Sequence, residues 1–358
     1  MKKTAEKSRP QTEQSNLNNQ ITENFSINDH SLQDFQPLTG FRVISRHTEP
    51  LTKNRVIACL DLLQGAIHTG NPNVKLIEDL YEALNFAKNE LSQEEWSQFV
   101  KNKIESHPIY PLVLQDPCTQ RSYSKPRGYP GDAGLIDFFY KKANLISETK
   151  FGDHILNYTI SRDAAQAVRE RATLIASYID KIALKKNDSR ILSIASGHLR
   201  EAGLSRAVFE GRIAEFISLD QDDKSLEVVR SEFSSFNITP VHCPISSLLL
   251  NKVSLGKFDF VYASGLFDYL NDKLAKRLIR YMFNALLPGG KLLITNFLTT
   301  TKEIGYMSAF MHWDLIFRDM GNMEDLVKDL DHNLIEKKKV FRNSYNNIVY
   351  LEITKMNK

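Results

Sequence analysis

The 358-residue sequence has little cysteine, no long apolar run and almost no net charge. Its three cysteines, Cys59, Cys118 and Cys243, lie far apart, which argues against both a disulfide framework and a C-x-x-C zinc or redox motif. No apolar stretch approaches the ~18 residues of a membrane helix. Lys2 and Lys3 are followed by polar residues rather than by the apolar segment of a secretory signal. We therefore expect a cytoplasmic protein.

Several common functional signatures are also missing. Lys and Arg total 46 against 43 for Asp and Glu, and this balance argues against a nucleic-acid partner. The nine histidines form no H-x-H or H-E-x-x-H pattern, so we expect no metal site. No G-x-S-x-G nucleophile elbow is present. What remains is an ordinary globular composition, 42% hydrophobic and 25% charged, with no signal for oligomeric state.

The chain divides into segments of different character. Residues 1–45 are rich in Asn, Gln, Ser, Thr and Lys, which predicts a disordered arm. Residues 46–107 show apolar residues at helical spacing and a capping box at Ser92–Glu95, which predicts a helical region. Residues 108–160 are punctuated by Pro and Gly and interleaved with aromatics, which is typical of a functional connection such as a lid.

From residue 161 a helix leads into alternating strand and helix patterns, so we predict an α/β domain over 161–358. A helix over Leu199–Phe209 is expected after the first strand, and another over residues 307–330. Two strand-like runs, Asn333–Phe341 and Asn346–Thr354, are expected to form a terminal hairpin.

The junction after the first strand carries the strongest chemical signal. Ser196 and Gly197 are small enough to let a ligand approach the backbone. Asp220 ends the next strand, a little over twenty residues on, where an acid typically binds the two hydroxyls of a nucleoside ribose. The alternative is that Asp220 caps the following helix. The dinucleotide fingerprint G-x-G-x-x-G fails here, because its first and third positions are Ala195 and Arg200.

Together with the Leu-Leu-Pro-Gly-Gly-Lys-Leu-Leu-Ile turn at 286–294 and the terminal hairpin, this junction resembles the class I S-adenosylmethionine (SAM)-dependent methyltransferases. The resemblance implies a Rossmann-like α/β fold, with a seven-stranded sheet ending in a C-terminal β-hairpin, here preceded by a helical cap region. It also implies SAM as cofactor. The implied cofactor-binding residues follow the first, second and fourth strands: Ser196, Gly197, Arg200, Glu201, Asp220, Gln221, Ser264 and Gly265.

A narrower resemblance rests on Lys-Pro-Arg-Gly-Tyr-Pro-Gly-Asp at 125–132, Ser-Gly-Leu-Phe-Asp-Tyr-Leu at 264–270 and Trp-Asp-Leu-Ile-Phe-Arg at 313–318. These motifs are similar to those of a bacterial methyltransferase group linked to methyl esters of 3-hydroxy fatty acids that act as extracellular factors. This implies methyl transfer to a small molecule, with the carboxylate of such a fatty acid or a related acyl compound as a candidate acceptor. The alternatives are methylation of a protein or an RNA, and a non-catalytic SAM-binding interaction protein.

The remaining candidates lie in these motifs. The predicted catalytic residues are Tyr129, Asp132 and Asp268, with an aspartate serving as general base if the acceptor is a hydroxyl or an amine. The predicted substrate-binding residues are Arg127, Tyr269, Trp313 and Arg318. Each has a structural alternative: a Pro-Gly-Asp tight turn at 130–132, a helix cap and core aromatic at 268–269, and a core anchor with an ion-pair partner at 313 and 318.

Overall fold

A computed structural model of the protein describes residues 48–70, 72–141, 147–250 and 252–357. The predicted arm at 1–45 lies outside these ranges. The residues that the structure describes form one compact unit, which contains the helical region, the lid-like segment and the α/β domain. The boundaries at residues 107 and 160, which separate the helical region, the lid-like segment and the α/β domain, remain predictions.

The helices begin and end, in chain order, as follows: α1 Thr48–His68, α2 Val74–Glu90, α3 Gln93–Phe99, α4 Tyr110–Val113, α5 Pro117–Ser124, α6 Ala133–Phe139, α7 Lys150–Ser161, α8 Asp163–Lys185, α9 Arg206–Phe209, α10 Asp223–Glu232, α11 Ile245–Leu249, α12 Asp272–Asn284, α13 Ile304–Ala309 and α14 Met320–Asp325. The strands are β1 Ser189–Ile194, β2 Ile213–Asp220, β3 Ile238–His242, β4 Phe258–Ala263, β5 Leu286–Phe297, β6 Ile335–Arg342 and β7 Ile348–Lys355. No helix in the described ranges is both long and apolar enough to cross a membrane.

The seven strands form one sheet in the order β3-β2-β1-β4-β5-β7-β6. β1 to β5 run parallel, while β7 lies antiparallel between β5 and β6. This is the class I methyltransferase topology, so the predicted fold and the terminal hairpin are confirmed. A sheet whose strand order reverses between β1 and β4 opens a crevice at their carboxyl ends, which is where α/β folds bind ligands.

Consecutive residues of a strand point to opposite faces of the sheet, and both faces are covered by helices. In β1, Ile191 packs with the N-terminal helices and α8, whereas Leu192 packs with α12 on the other face. Neither side chain has any solvent exposure. The helical cap region therefore shares its core with one face of the sheet.

The cap helices also support the segment that follows β5. Trp96 donates its indole N–H to the Ser308 hydroxyl at 2.9 Å. Gly305 lies so close to α2 that a Cβ there would be 2.3 Å from the Leu84 carbonyl carbon. The predicted helix over 307–330 is wrong: α13 ends at Ala309 and α14 starts at Met320, with extended and bent backbone between them. Within this irregular segment Trp313 is buried, whereas Ile316 is exposed.

Candidate functional site

A cavity of about 560 Å³ lies at the carboxyl ends of the central strands. Its floor is the turn after β1, the end of β2 and the turn after β4, and the loop before α6 covers one side. This volume falls in the ~300–1,000 Å³ range of small-molecule and cofactor sites. The cavity wall combines apolar side chains with polar and charged ones.

The turn after β1 has an unusual backbone. Ala195, Gly197 and Leu199 all have positive φ angles, of 54°, 55° and 51°. This alternation prevents an α-helix from starting, so the predicted helix over Leu199–Phe209 is wrong: a 3₁₀ turn at Ala202–Leu204 and the four-residue α9 take its place. Gly197 packs against the start of α6, because a Cβ there would lie 3.1 Å from the Ala133 Cβ.

Asp220 organises this turn from the end of β2. Its Oδ2 accepts the Gly197 backbone N–H at 2.8 Å and its Oδ1 accepts the Asp222 N–H at 2.9 Å. The carboxylate is 7% exposed and faces the cavity, and burial raises its pKa. Each carboxylate oxygen has a second acceptor position, so Asp220 can still bind two hydroxyl groups. Asp222, not Asp220, caps α10 by accepting the Lys224 N–H.

Four other residues that were predicted to bind the cofactor share the cavity with Asp220. Ser196, Gln221, Ser264 and Gly265 all line the cavity. Ser196 shares a hydrogen bond of 2.7 Å with the Ser218 hydroxyl, which ties the turn to β2. The structure therefore brings the predicted cofactor-binding positions together at one sheet edge.

Arg200 and Glu201 line the same cavity but differ in their surroundings. Arg200 donates to both carboxylate oxygens of Asp137, at 2.6 and 2.7 Å, and also pairs with Glu232. Although burial opposes ionisation of Asp137, its hydrogen bonds with Arg200 and His198 lower its pKa to about 2. Glu201 is buried, which raises its pKa, and it accepts the Tyr262 hydroxyl at 2.6 Å. Arg200 is thus already neutralised by acids of the protein.

The turn after β4 places two more predicted residues on the wall. Asp268 accepts the Phe297 backbone N–H at 2.6 Å, and burial raises its pKa to about 6. The Tyr269 hydroxyl donates to the Pro130 carbonyl at 3.1 Å and accepts the Trp313 indole N–H at 2.8 Å. Tyr269 and Trp313 therefore connect the β4 turn to the covering loop.

That covering loop, residues 127–132, closes one side of the cavity. A Cβ on Gly131 would lie 2.4 Å from a ring carbon of Trp313, so only glycine permits this approach at its φ of 69°. Tyr129 lines the cavity, and burial, reinforced by the charges of Asp220 and Asp222, raises its pKa. Arg127 lines the cavity as well, but it is paired with Asp222 at 2.7 Å.

Two predictions need correction, because neither residue lines the cavity. Asp132 was predicted to be catalytic, but its carboxylate caps α6 through the Leu135 N–H at 2.8 Å and accepts Arg121 at 2.7 and 2.9 Å. Arg318 was predicted to bind substrate, but it is 2% exposed. Its guanidinium donates to the carbonyls of residues 267 and 270 and to the side chains of residues 272 and 296. Both charged side chains are therefore bound by other groups of the protein and do not face the cavity.

Arg171 is a cavity residue that the sequence reasoning missed. It projects from α8 and is 5% exposed. The available signal was its place between Val168 and Ile175 on the apolar face of a helix, where an arginine is seldom buried without a reason. Tyr140, at the end of α6, lines the cavity beside it, and burial raises its pKa to about 12. No cluster of potential metal ligands occurs among the residues described by the structure.

Comparison with known proteins gives a fold similarity. No protein-family profile matches the chain, and no curated protein matches it. A possible exported protein from Bordetella parapertussis matches with a TM-score of 0.51 and 12% identity, over 86% of this chain and 95% of its own. The magnesium protoporphyrin IX methyltransferase ChlM from Synechocystis PCC 6803, with bound S-adenosylhomocysteine (SAH), gives 0.43 and 12%, over 66% and 97%. The N-methyltransferase NodS from Bradyrhizobium japonicum WM9 gives 0.37 and 13%, over 52% and 96%. At 12% identity the first match shows a similar fold and no more. The other two have TM-scores below 0.5, and no conclusion is based on them.

Proposed function

We propose that the protein is a SAM-dependent methyltransferase that acts on a small molecule. The observation that carries the proposal is the pairing of Asp220 with the Gly197 turn at the strand edge of a class I methyltransferase sheet. This arrangement offers a buried acceptor pair for the ribose hydroxyls. Ile245 and Leu266, on the same wall, supply the apolar contacts that an adenine ring needs. The residues present therefore fit SAM.

SAM supplies a methyl group on a positively charged sulfur. The protein's own contribution is to align the acceptor and to exclude water, because positive charge disappears as the methyl group moves. The covering loop excludes water by packing Gly131 against Trp313 and by adding Tyr129 to the cavity wall. A carboxylate acceptor needs no proton removed. For a hydroxyl or an amine, Asp268 is a buried acid on the wall, and a pKa of about 6 suits it to accept the proton near neutral pH.

A small acceptor is supported by the size of the cavity, which leaves little room beside a cofactor for a folded macromolecule. The apolar side of the wall is formed by Phe297, Trp313 and Leu315. Phe297 and Trp313 also border a second, apolar cavity of about 30 Å³. We propose that the apolar part of the acceptor lies against this side, which suits an acyl compound such as a 3-hydroxy fatty acid. Action in the cytoplasm stays a prediction from the sequence.

The proposal is tested by incubating the protein with methyl-labelled SAM and three separate acceptor pools: a small-molecule extract, total tRNA and total protein. We expect SAH release and a labelled product only with the small-molecule pool, and mass spectrometry should then show a product one CH₂ heavier than its precursor. Pure 3-hydroxy fatty acids are assayed in parallel. Label in tRNA or protein alone would overturn the small-molecule acceptor, and absence of SAM binding would overturn the methyltransferase itself.

A further inference from the structure

Arg171 is a buried arginine on the wall of the cavity. Its guanidinium faces the cavity at 5% exposure, and its Nε has no hydrogen-bond partner. Within the described ranges, no carboxylate lies within 4.0 Å of it. Arg127 and Arg200 line the same cavity, and each is paired with an aspartate.

A buried guanidinium without a close counter-ion is unfavourable, because desolvation of the charge is not compensated. The hydrogen bond between Arg171 and the Tyr140 hydroxyl satisfies part of the guanidinium but does not neutralise its charge. The residues around Arg171 indicate what its charge faces. The guanidinium lies against the turn after β4, where a Cβ on Gly265 would be 3.3 Å from its NH1.

Two buried acids share this end of the cavity with Arg171. Burial raises the pKa values of Glu201 and Asp268, and in both cases the charge of Arg171 counteracts part of that effect. Both acids line the cavity, and each has one carboxylate oxygen bound by a protein donor: the Tyr262 hydroxyl for Glu201 and the Phe297 N–H for Asp268. Arg171, Glu201 and Asp268 therefore line the same cavity as Asp220, one cation with two acids beside it.

We propose that Arg171 binds the carboxylate of a zwitterionic α-amino acid group, whose ammonium is held by Glu201, while Asp268 stays available to the acceptor. The inference rests on the proposed methyltransferase function and deepens it. Two ligands could carry this group, the amino-acid end of SAM and an acceptor that is itself an amino acid. Arg200, which the resemblance implies to bind the cofactor, is not available for this contact because Asp137 and Glu232 neutralise it.

The test compares SAH with 5′-methylthioadenosine, which keeps the nucleoside and the sulfur but lacks the amino-acid end. Calorimetry is run on wild type, Arg171→Met and Arg171→Lys, and unfolding temperatures are recorded for all three. If the group belongs to SAM, Arg171→Met should bind SAH about 10- to 100-fold more weakly, with methylthioadenosine affinity unchanged. Arg171→Lys, which keeps the charge without the planar fork, should recover part of the SAH affinity.

If the group belongs to the acceptor, both nucleosides should bind the variants as they bind wild type, while methylation of a limiting small-molecule extract at saturating SAM should fall about 10- to 100-fold. The inference is overturned if SAH affinity and extract methylation are both unchanged in Arg171→Met. It is also overturned if both nucleosides lose affinity equally, because the arginine then only supports the fold. A wild type that binds neither nucleoside overturns the proposed function, and the inference with it.

Discussion

Asp132 provides a quantitative test of the corrected site. Its side chain is almost fully buried and accepts three hydrogen bonds, one from the Leu135 N–H at 2.8 Å and two from Arg121 at 2.7 and 2.9 Å. Gly134 allows this ion pair, since a Cβ there would lie 2.4 Å from the Arg121 NH2. Asp132→Asn keeps one acceptor oxygen and a good helix cap but places an amide NH₂ against the guanidinium.

Removing one partner of a buried pair costs about 3–5 kcal/mol. The Arg121 side chain is 25% exposed, so water compensates it in part, and the asparagine retains one oxygen. We therefore expect a loss of about 2 kcal/mol in the free energy of unfolding. With an unfolding entropy of about 2.1 cal/mol/K per residue, this lowers the melting temperature by about 3 °C.

Calorimetric melting of Asp132→Asn, Arg121→Gln and the double variant measures the pair directly. We expect a coupling energy of about 1–2 kcal/mol between the two positions. Turnover of Asp132→Asn, measured well below its melting temperature, should stay within about threefold of wild type. An unchanged melting temperature together with a loss of turnover of roughly 100-fold would refute the structural role and restore Asp132 as a general base.

Three further predictions follow. Burial raises the pKa of Asp116 to about 6, against roughly 3.9 in the unfolded chain. The native state therefore retains a proton that the unfolded chain has released between about pH 4 and 6, and the stability that this proton contributes is lost as the pH rises through 6. The stability of wild type relative to Asp116→Asn should fall by about 1–3 kcal/mol from pH 4 to 7, and a pH-independent difference in urea unfolding would contradict this. Tyr129→Phe should lower turnover by roughly 100-fold with little change in melting temperature, if the hydroxyl on the covering loop acts in positioning or proton transfer; normal turnover would leave the loop as scaffold. Deleting residues 1–45, whose composition predicts no folded core, should leave the melting temperature within a few degrees, whereas a drop of more than about 10 °C would show that the arm packs on the remainder.

The fold was predictable because its signals are local. Apolar runs alternate with amphipathic helices from β1 onward, and the sequence at 333–354 contains two strands with a polar turn between them. Asp220 and Gly197 were predictable for the same reason, since the carboxyl ends of neighbouring parallel strands must lie at one edge.

The misassigned residues depend on partners that are distant in the sequence or on backbone detail. Arg318 is held by carbonyl groups about fifty residues away, at 267 and 270, and no local pattern reports that pairing. Leu199 adopts a left-handed conformation that apolar periodicity cannot register, so a continuous helix was expected where a 3₁₀ turn forms. Arg171 is the converse case, because a charged residue on the apolar face of a helix was a local signal that the prediction overlooked.

Asp220 is the residue on which the proposed binding of SAM depends most directly. The deciding measurement is titration calorimetry of SAH with wild type, Asp220→Asn and the control Asp223→Asn, which makes the same charge change on an exposed residue three positions along. We expect one SAH site in wild type, unchanged binding in Asp223→Asn, and about 10- to 100-fold weaker binding in Asp220→Asn, because the ribose hydroxyls lose a charged acceptor. Equal SAH affinity in wild type and Asp220→Asn, or no SAH binding by wild type, would contradict the account.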